Sequence, residues 1–325
     1  MHCPKCNCER ETRRGACPVC GYSRKRLVLM IVSICVAALL LLSLAVWGVV
    51  SLLSAWFSRV NPSSTDKPTS PTAETAETTL SRTVTVTIPE GYTVLKIAAA
   101  LETADVCDAA AFLKAVREGD YADYAFLENV SVMGEDGTPN GRCFRLEGYL
   151  FPDTYEFYRN SSGEAAVRRF LDNFERKLAA WQAALDASGL TLDEAVTLAS
   201  VIQREAKTAA DMYRVSRVLH NRLESPDYPR LQCDVSTAYL RELEAAGETP
   251  DKAAYDTYVR KGLPVGAIAN PGAAALAAAV APSEEDICAG CYFFVIDEAD
   301  GTVYYSKTYA EHLAVWAEIQ ERTGE

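Results

Sequence analysis

The chain has 325 residues, 49% of them apolar, and a formal net charge of −12. Residues 1–26 carry seven Lys or Arg against Glu9 and Glu11, so everything after them holds a net −17, which excludes binding of nucleic acid by charge. A unit of some 200 residues or more also buries enough surface to fold without disulfides or a metal.

The opening residues place Cys3 and Cys6 in one CxxC pair and Cys17 and Cys20 in another, ten residues apart. That is zinc-ribbon spacing, and four thiolates would close a tetrahedral structural zinc site with no open position for chemistry. Cys8 is an additional thiol between the pairs. No charged residue occurs between Arg26 and Arg59, and Leu27 to Val50 is almost wholly aliphatic. About 20 such residues span a bilayer. Arg24, Lys25 and Arg26 precede the run, and Trp47 and Trp56 lie near its far end, so the expected orientation has the N-terminus in the cytoplasm. From Asn61 to Thr83, fourteen of twenty-three residues are Pro, Ser or Thr, the composition of a flexible tether.

Order begins at Val84–Ile88, where apolar and polar residues alternate as in a strand. Pro89-Glu90-Gly91 turns the chain, Thr93 caps a helix through Leu101, and a second helix runs from Asp108 to about Val116. Thr191 and Glu194 form a capping box that opens a helix to about Ala206, and another covers roughly Ala210 to Leu223. Asn270 followed by Pro271 reads as an N-cap and first helical residue, opening an alanine-rich helix that Pro282 ends. Tyr292–Ile296 and Thr302–Ser306 form a hairpin, and Thr308 with Glu311 opens the last helix. The fold class is α+β, a mixed helix and sheet domain without strand–helix alternation. The expected organisation is a zinc ribbon at 1–26, a transmembrane helix and interface at 27–57, a linker at 58–82, a small strand–helix–helix module at 83–119 and a main domain at 120–325.

Along the helix opened by Thr191, the residues Ala195, Leu198, Ile202 and Glu205 share a face by their spacing. Glu205 therefore falls where an apolar residue is expected. A carboxyl in such a place has a raised pKa, the preparation a general acid needs. The plain alternative is a helix-end glutamate paired with Arg214, Arg217 or Arg222. The three histidines, His2, His220 and His312, are too scattered in sequence to suggest a catalytic metal site.

Five ordered segments resemble the membrane-anchored endolytic murein transglycosylase family, the MltG or YceG-like proteins. They are Leu146–Tyr155 (LEGYLFPDTY), Leu198–Glu205 (LASVIQRE), Val218–Leu223 (VLHNRL), Leu231–Asp234 (LQCD), and Tyr255–Tyr258 (YDTY) with Gly262–Gly272 (GLPVGAIANPG). The resemblance extends over about residues 83 to 320. It implies that Glu205 is the catalytic acid/base. It also implies a substrate groove lined by Glu147, Tyr149, Asp153, Tyr155, Asn221, Gln232, Asp234, Tyr258, Gly262, Pro264, Gly266 and Asn270, and a shortened LysM-like glycan-binding module at 83–119.

The reaction so implied is non-hydrolytic cleavage of the bond between N-acetylmuramic acid and N-acetylglucosamine in nascent peptidoglycan strands. It leaves a 1,6-anhydro end, terminates strand elongation and needs no cofactor. The implied setting is the cell membrane, single-pass, with the catalytic domain outside the cytoplasm and peptidoglycan synthases or division proteins as partners. Val235, Cys233 and Val265 depart from the family's usual residues, and the zinc ribbon is not a usual family feature. A reading from another class is a non-catalytic glycan-binding scaffold of the wall-synthesis machinery. Of the outer cysteines Cys107, Cys143, Cys233, Cys288 and Cys291, the sequence allows a local Cys288–Cys291 disulfide or a Cys143–Cys233 staple without deciding between them.

Overall fold

The computed structural model describes residues 82–134 and 136–323. The cysteine pairs, the apolar run and the Pro/Ser/Thr-rich stretch lie outside the described residues.

Strand β1 (Thr83–Thr87) has its alternating side chains ordered by a partner far along the chain. It pairs antiparallel with β2 (Thr154–Tyr158), setting Val84 opposite Phe157 and Val86 opposite Tyr155. Tyr155 and Phe157 turn into the core while Thr154, Glu156 and Tyr158 face out, the two-residue period of a half-buried strand. The segment 83–119 thus does not close on itself, because its strand is completed from residues 154–158.

Between the strands lie α1 (Val94–Thr103), capped by the Thr93 hydroxyl, and α2 (Ala109–Glu118). Helix α3 (Gly163–Leu178) packs across α2 and is capped by Ser162. Gly163 permits this close crossing: a Cβ there would stand 2.4 Å from the Ala111 carbonyl oxygen. An aromatic cluster fills the space beneath, with Phe170 edge-on to Phe112 at 6.2 Å and to Tyr155 at 4.6 Å. Each such buried ring contributes about 1.5–3 kcal/mol by leaving water.

After α4 (Gln182–Ser188), the expected capping box forms, with Thr191 N donating to Glu194 at 2.8 Å and Glu194 N donating to Thr191 at 3.3 Å. It opens α5 (Leu192–Glu205), every residue of which from Ala195 to Ile202 is buried. The single apolar face read from the spacing is therefore a helix enclosed on all sides. Helices α6 (Ala209–Glu224), α7 (Asp234–Ala245), the single-turn α8 (Lys252–Tyr255) and α9 (Ala273–Val280) complete the main body, with α5, α6 and α9 in mutual contact. The small side chains of α9 let it lie close to its neighbours: Ser216 Oγ donates to the Ala278 carbonyl at 2.6 Å, and His220 Nε2 lies 2.9 Å from the Ala279 carbonyl.

The N-cap of α9 is Gly272, not Asn270. Asn270 is instead buried in the core, where its side chain meets the Gly148 and Leu150 N–H groups, the Glu147 carboxyl and the Tyr92 carbonyl. A hairpin of β3 (Phe293–Ile296) and β4 (Val303–Ser306) follows, and α10 (Tyr309–Thr323) packs on it after the expected Thr308/Glu311 cap. The fold is α+β, as expected, with two separate two-stranded sheets among the described residues.

Candidate active site

The end of α5 delivers one carboxyl to a cleft. Ser200 Oγ accepts from Ile268 N at 3.0 Å and donates to the Thr197 carbonyl at 2.7 Å, which fixes the helix against the segment leading to α9. One turn later Arg204 pairs with Glu242 at 2.6 Å, and Gln203 accepts from Gly272 N at 2.9 Å. With its neighbours held elsewhere, Glu205 is the last helical residue, partly exposed, because Ala206 turns to an extended conformation at φ −115°. It faces a cleft of about 520 Å³.

One side of the cleft is built by Glu205, Leu231, Gln232, Asp234 and Tyr258, and the other by the β3 hairpin and by Tyr309, His312 and Trp316 of α10. Burial pushes the Glu205 carboxyl up to about 7; a hydrogen bond from the Cys233 side chain opposes the shift, the charge of Asp234 adds to it, and Arg204 opposes it. The Cys233 thiol is itself raised well above its ordinary range, first by burial and then by the charge of Glu205. On the Glu205 side of the cleft, Tyr258 donates its hydroxyl to Asp234 at 2.8 Å.

Arg222, buried at the back, joins the two sides. Its guanidinium donates to the carbonyls of Tyr292 at 2.5 Å, Arg230 at 2.8 Å and Leu231 at 2.9 Å, and to Gln232 Oε1 at 2.9 Å. The same group lies 4.9 Å from the centre of the Phe293 ring. Gln232 adopts a left-handed backbone, φ +53°, which costs a non-glycine residue about 1–2 kcal/mol. Its amide donates to the Thr257 carbonyl at 3.1 Å, so the conformation is held at both backbone and side chain.

Four of the expected site residues thus meet in one cleft: Glu205, Gln232, Asp234 and Tyr258. The others stand elsewhere and have structural partners. Glu147 is fully buried, taking hydrogen bonds from Val94 N at 3.0 and 3.1 Å, Tyr239 OH at 3.1 Å and Asn270 Nδ2 at 2.9 Å; burial pushes its carboxyl up to about 8. Tyr149 is buried and donates to Asp193 at 2.7 Å. Asp153 accepts from Asn173 and pairs with Lys177, both at 3.1 Å, and Tyr155 is buried with its hydroxyl on the Phe151 carbonyl.

Asn221 donates to the Cys291 carbonyl at 2.8 Å, bracing the hairpin wall from behind. Gly262 turns at φ +74° and, with Pro264, lines a different cavity of about 420 Å³. Gly266 leaves room for the Arg142 guanidinium, which pairs with Asp193 at 2.7 Å. Cys107, Cys143, Cys233, Cys288 and Cys291 are all free thiols.

The opposing wall, with Arg222, Tyr292, Phe293, Tyr309, His312 and Trp316, was not anticipated as part of the site. The aromatic spacing of three and four along α10 was the available signal, but nothing in it says what the helix faces.

A family model described as the YceG-like family matches residues 66–318. Proteins named endolytic murein transglycosylase, from Streptococcus pneumoniae serotype 2 (strain D39) and from Bacillus subtilis (strain 168), are each 27% identical to this chain. The alignments run over 245 and 242 residues, 70% of this chain in both cases. They cover 43% of the pneumococcal protein and 62% of the Bacillus protein, so the chain spans less than two thirds of either relative. A 2.6 Å crystal structure of a yceG-like protein from Listeria monocytogenes superposes with a TM-score of 0.58 at 27% identity, covering 71% of this chain and 75% of that one.

Proposed function

Because the chain belongs to the YceG-like family, we propose that it is an endolytic murein transglycosylase, a lyase that cuts peptidoglycan glycan strands with Glu205 as its acid/base. The observation that carries this reading is a carboxyl at the end of a buried helix, facing a cleft of about 520 Å³ and held near neutrality at about 7. Such a group is protonated often enough to give a proton to a leaving oxygen and basic enough to take one back. Glu205 protonates the glycosidic oxygen as the bond to the muramoyl anomeric carbon breaks. The resulting carboxylate then removes the proton of the muramoyl 6-hydroxyl, whose oxygen bonds to that carbon. No water is consumed, and the acid is regenerated. Glycosidases that use two carboxylates recruit an external water or a protein nucleophile; here the substrate supplies its own.

Gln232, Asp234 and Tyr258 are suited to orient sugar hydroxyl and N-acetyl groups beside the acid. The other family-motif residues support the site from behind: Glu147 and Asn270 tie the glycine-rich approach to α9 onto α1. Residues 27–57 are read as one transmembrane span with the N-terminus in the cytoplasm, and 58–82 as the tether of an extracytoplasmic catalytic part. Strand β1 with α1 and α2 is read as a LysM-like glycan-binding module closed by β2. Cys3, Cys6, Cys17 and Cys20 form a donor set for a structural zinc, whose four thiolates would hold the ribbon together. Cleavage of nascent strands would terminate their elongation beside peptidoglycan synthases or division proteins.

The test uses the full chain and uncrosslinked glycan strands, with products analysed by mass. Anhydro ends are lighter than reducing ends by one water, and Glu205→Gln should abolish them while the protein stays folded. Binding of strands by the wild type with no new ends would instead favour a non-catalytic scaffold.

A further inference from the structure

Helix α10 is poorly buried for an element that closes a domain, since Ile319 is its only buried residue. It nevertheless presents three rings on one face, because Tyr309, His312 and Trp316 are separated by three and four positions. They extend over about two turns, roughly 10 Å at 1.5 Å per residue, which is the scale of a disaccharide. Tyr309 is 57% and Trp316 47% exposed, and all three rings line the cleft that contains Glu205.

The platform is fixed to the catalytic side. His312 stacks on Phe293 at 5.5 Å and 26°, Phe293 lies under Arg222 at 4.9 Å, and Arg222 holds Gln232. At the far end of the helix, Arg322 pairs with the buried carboxylate of Asp297 in the hairpin turn.

We propose that the Tyr309, His312 and Trp316 face is a second glycan subsite, which stacks a sugar unit of the strand other than the two joined by the bond whose oxygen Glu205 protonates. The proposal rests on reading the cleft as a glycan groove. Flat rings with polar tips suit pyranose faces, whose C–H groups stack while the ring-edge hydroxyls remain hydrogen-bonded. An aliphatic partner or a membrane would also engage Leu313, which is 47% exposed on the same helix but outside the cleft. Binding energy from a sugar unit that does not itself react can be used to position the strand over the acid.

The test measures the affinity of full-length Glu205→Gln protein for uncrosslinked glycan strands, with and without further substitutions. Adding Tyr309→Ala and Trp316→Ala should weaken binding about tenfold, a loss that Trp316→Phe in place of Trp316→Ala largely restores. Leu313→Ala should change the affinity by less than about twofold. The subsite is overturned if the double alanine variant binds within about twofold of its parent, or if Leu313→Ala weakens binding as much. If Glu205→Gln protein shows the ring-dependent binding but the wild type yields no anhydro ends, the subsite stands and the cutting reading fails. If the wild type cuts while the ring substitutions leave binding intact, the reverse holds.

Discussion

Asn270 donates its side-chain Nδ2 to Glu147 at 2.9 Å while its side-chain Oδ1 accepts from Gly148 N at 3.0 Å and Leu150 N at 2.8 Å. One buried amide thereby fastens the approach to α9 onto a loop more than a hundred residues earlier, and Glu147 passes the connection on to the first turn of α1. Asn270→Ala strands two buried backbone N–H groups and removes a donor from a buried carboxyl. It should cost about 2–4 kcal/mol, read as a lower denaturant midpoint with an unchanged slope.

The rate should depend on pH through Glu205. In the proposed mechanism the acid form starts the reaction, and its carboxyl is held at about 7. The pH profile of kcat/KM for strand cleavage should therefore be level or rising below that value and fall roughly tenfold per unit above it. A profile flat from pH 6 to about 9 would remove Glu205 as the acid.

The same carboxyl should destabilise the fold in alkaline solution. Its pKa is raised from an ordinary 4.5 to about 7, so the folded protein holds its proton more tightly than the unfolded chain does. Its favourable contribution is complete below 4.5 and is lost as pH rises through about 7. Glu205→Gln should thus be more stable than wild type by about 1–3 kcal/mol at pH 8, with no such gain at pH 4. Paired chemical denaturation at the two pH values checks the sign.

Arg222→Lys keeps the charge and loses the fork. One ammonium cannot reach the carbonyls of Tyr292, Arg230 and Leu231 and the Gln232 side chain together, as the guanidinium does. The variant should lose about 2–4 kcal/mol of stability, seen by thermal melting. At a temperature where it is still folded, kcat/KM should also fall, because the strained Gln232 loses its side-chain partner.

Elements governed by local chemistry were legible in the chain. The Thr191/Glu194 and Thr308/Glu311 boxes opened helices where expected, and the hairpin with its Asp297–Gly301 turn formed with the expected boundaries to within a residue. What local pattern could not reveal was pairing at a distance. Helices α3 and α7 were not anticipated, and neither was the partner of β1.

The site divides the same way. A carboxylate in an apolar helical phase is anomalous, and that anomaly is what makes Glu205 a candidate in the sequence. Glu147 and Asn270 looked equally suited to a groove, and only the positions of Val94, Tyr239 and Gly148 show that their hydrogen-bonding capacity is spent inside the protein. Asn270 before Pro271 had the look of a helix cap because its core partners come from the other end of the domain.

The Thr83 hydroxyl meets Glu156 at 2.8 Å across 73 residues of chain. During synthesis from the N-terminus, β1 therefore emerges from the ribosome long before the strand it must zip to, and closing so wide a loop carries an entropic penalty that α1 and α2 alone do not repay. Until then a threonine- and valine-rich edge is left open, the kind of segment that invites mispairing with another nascent copy. Folding of residues 82–323 should accordingly finish late, and their first ordered strand should be among the last to lock.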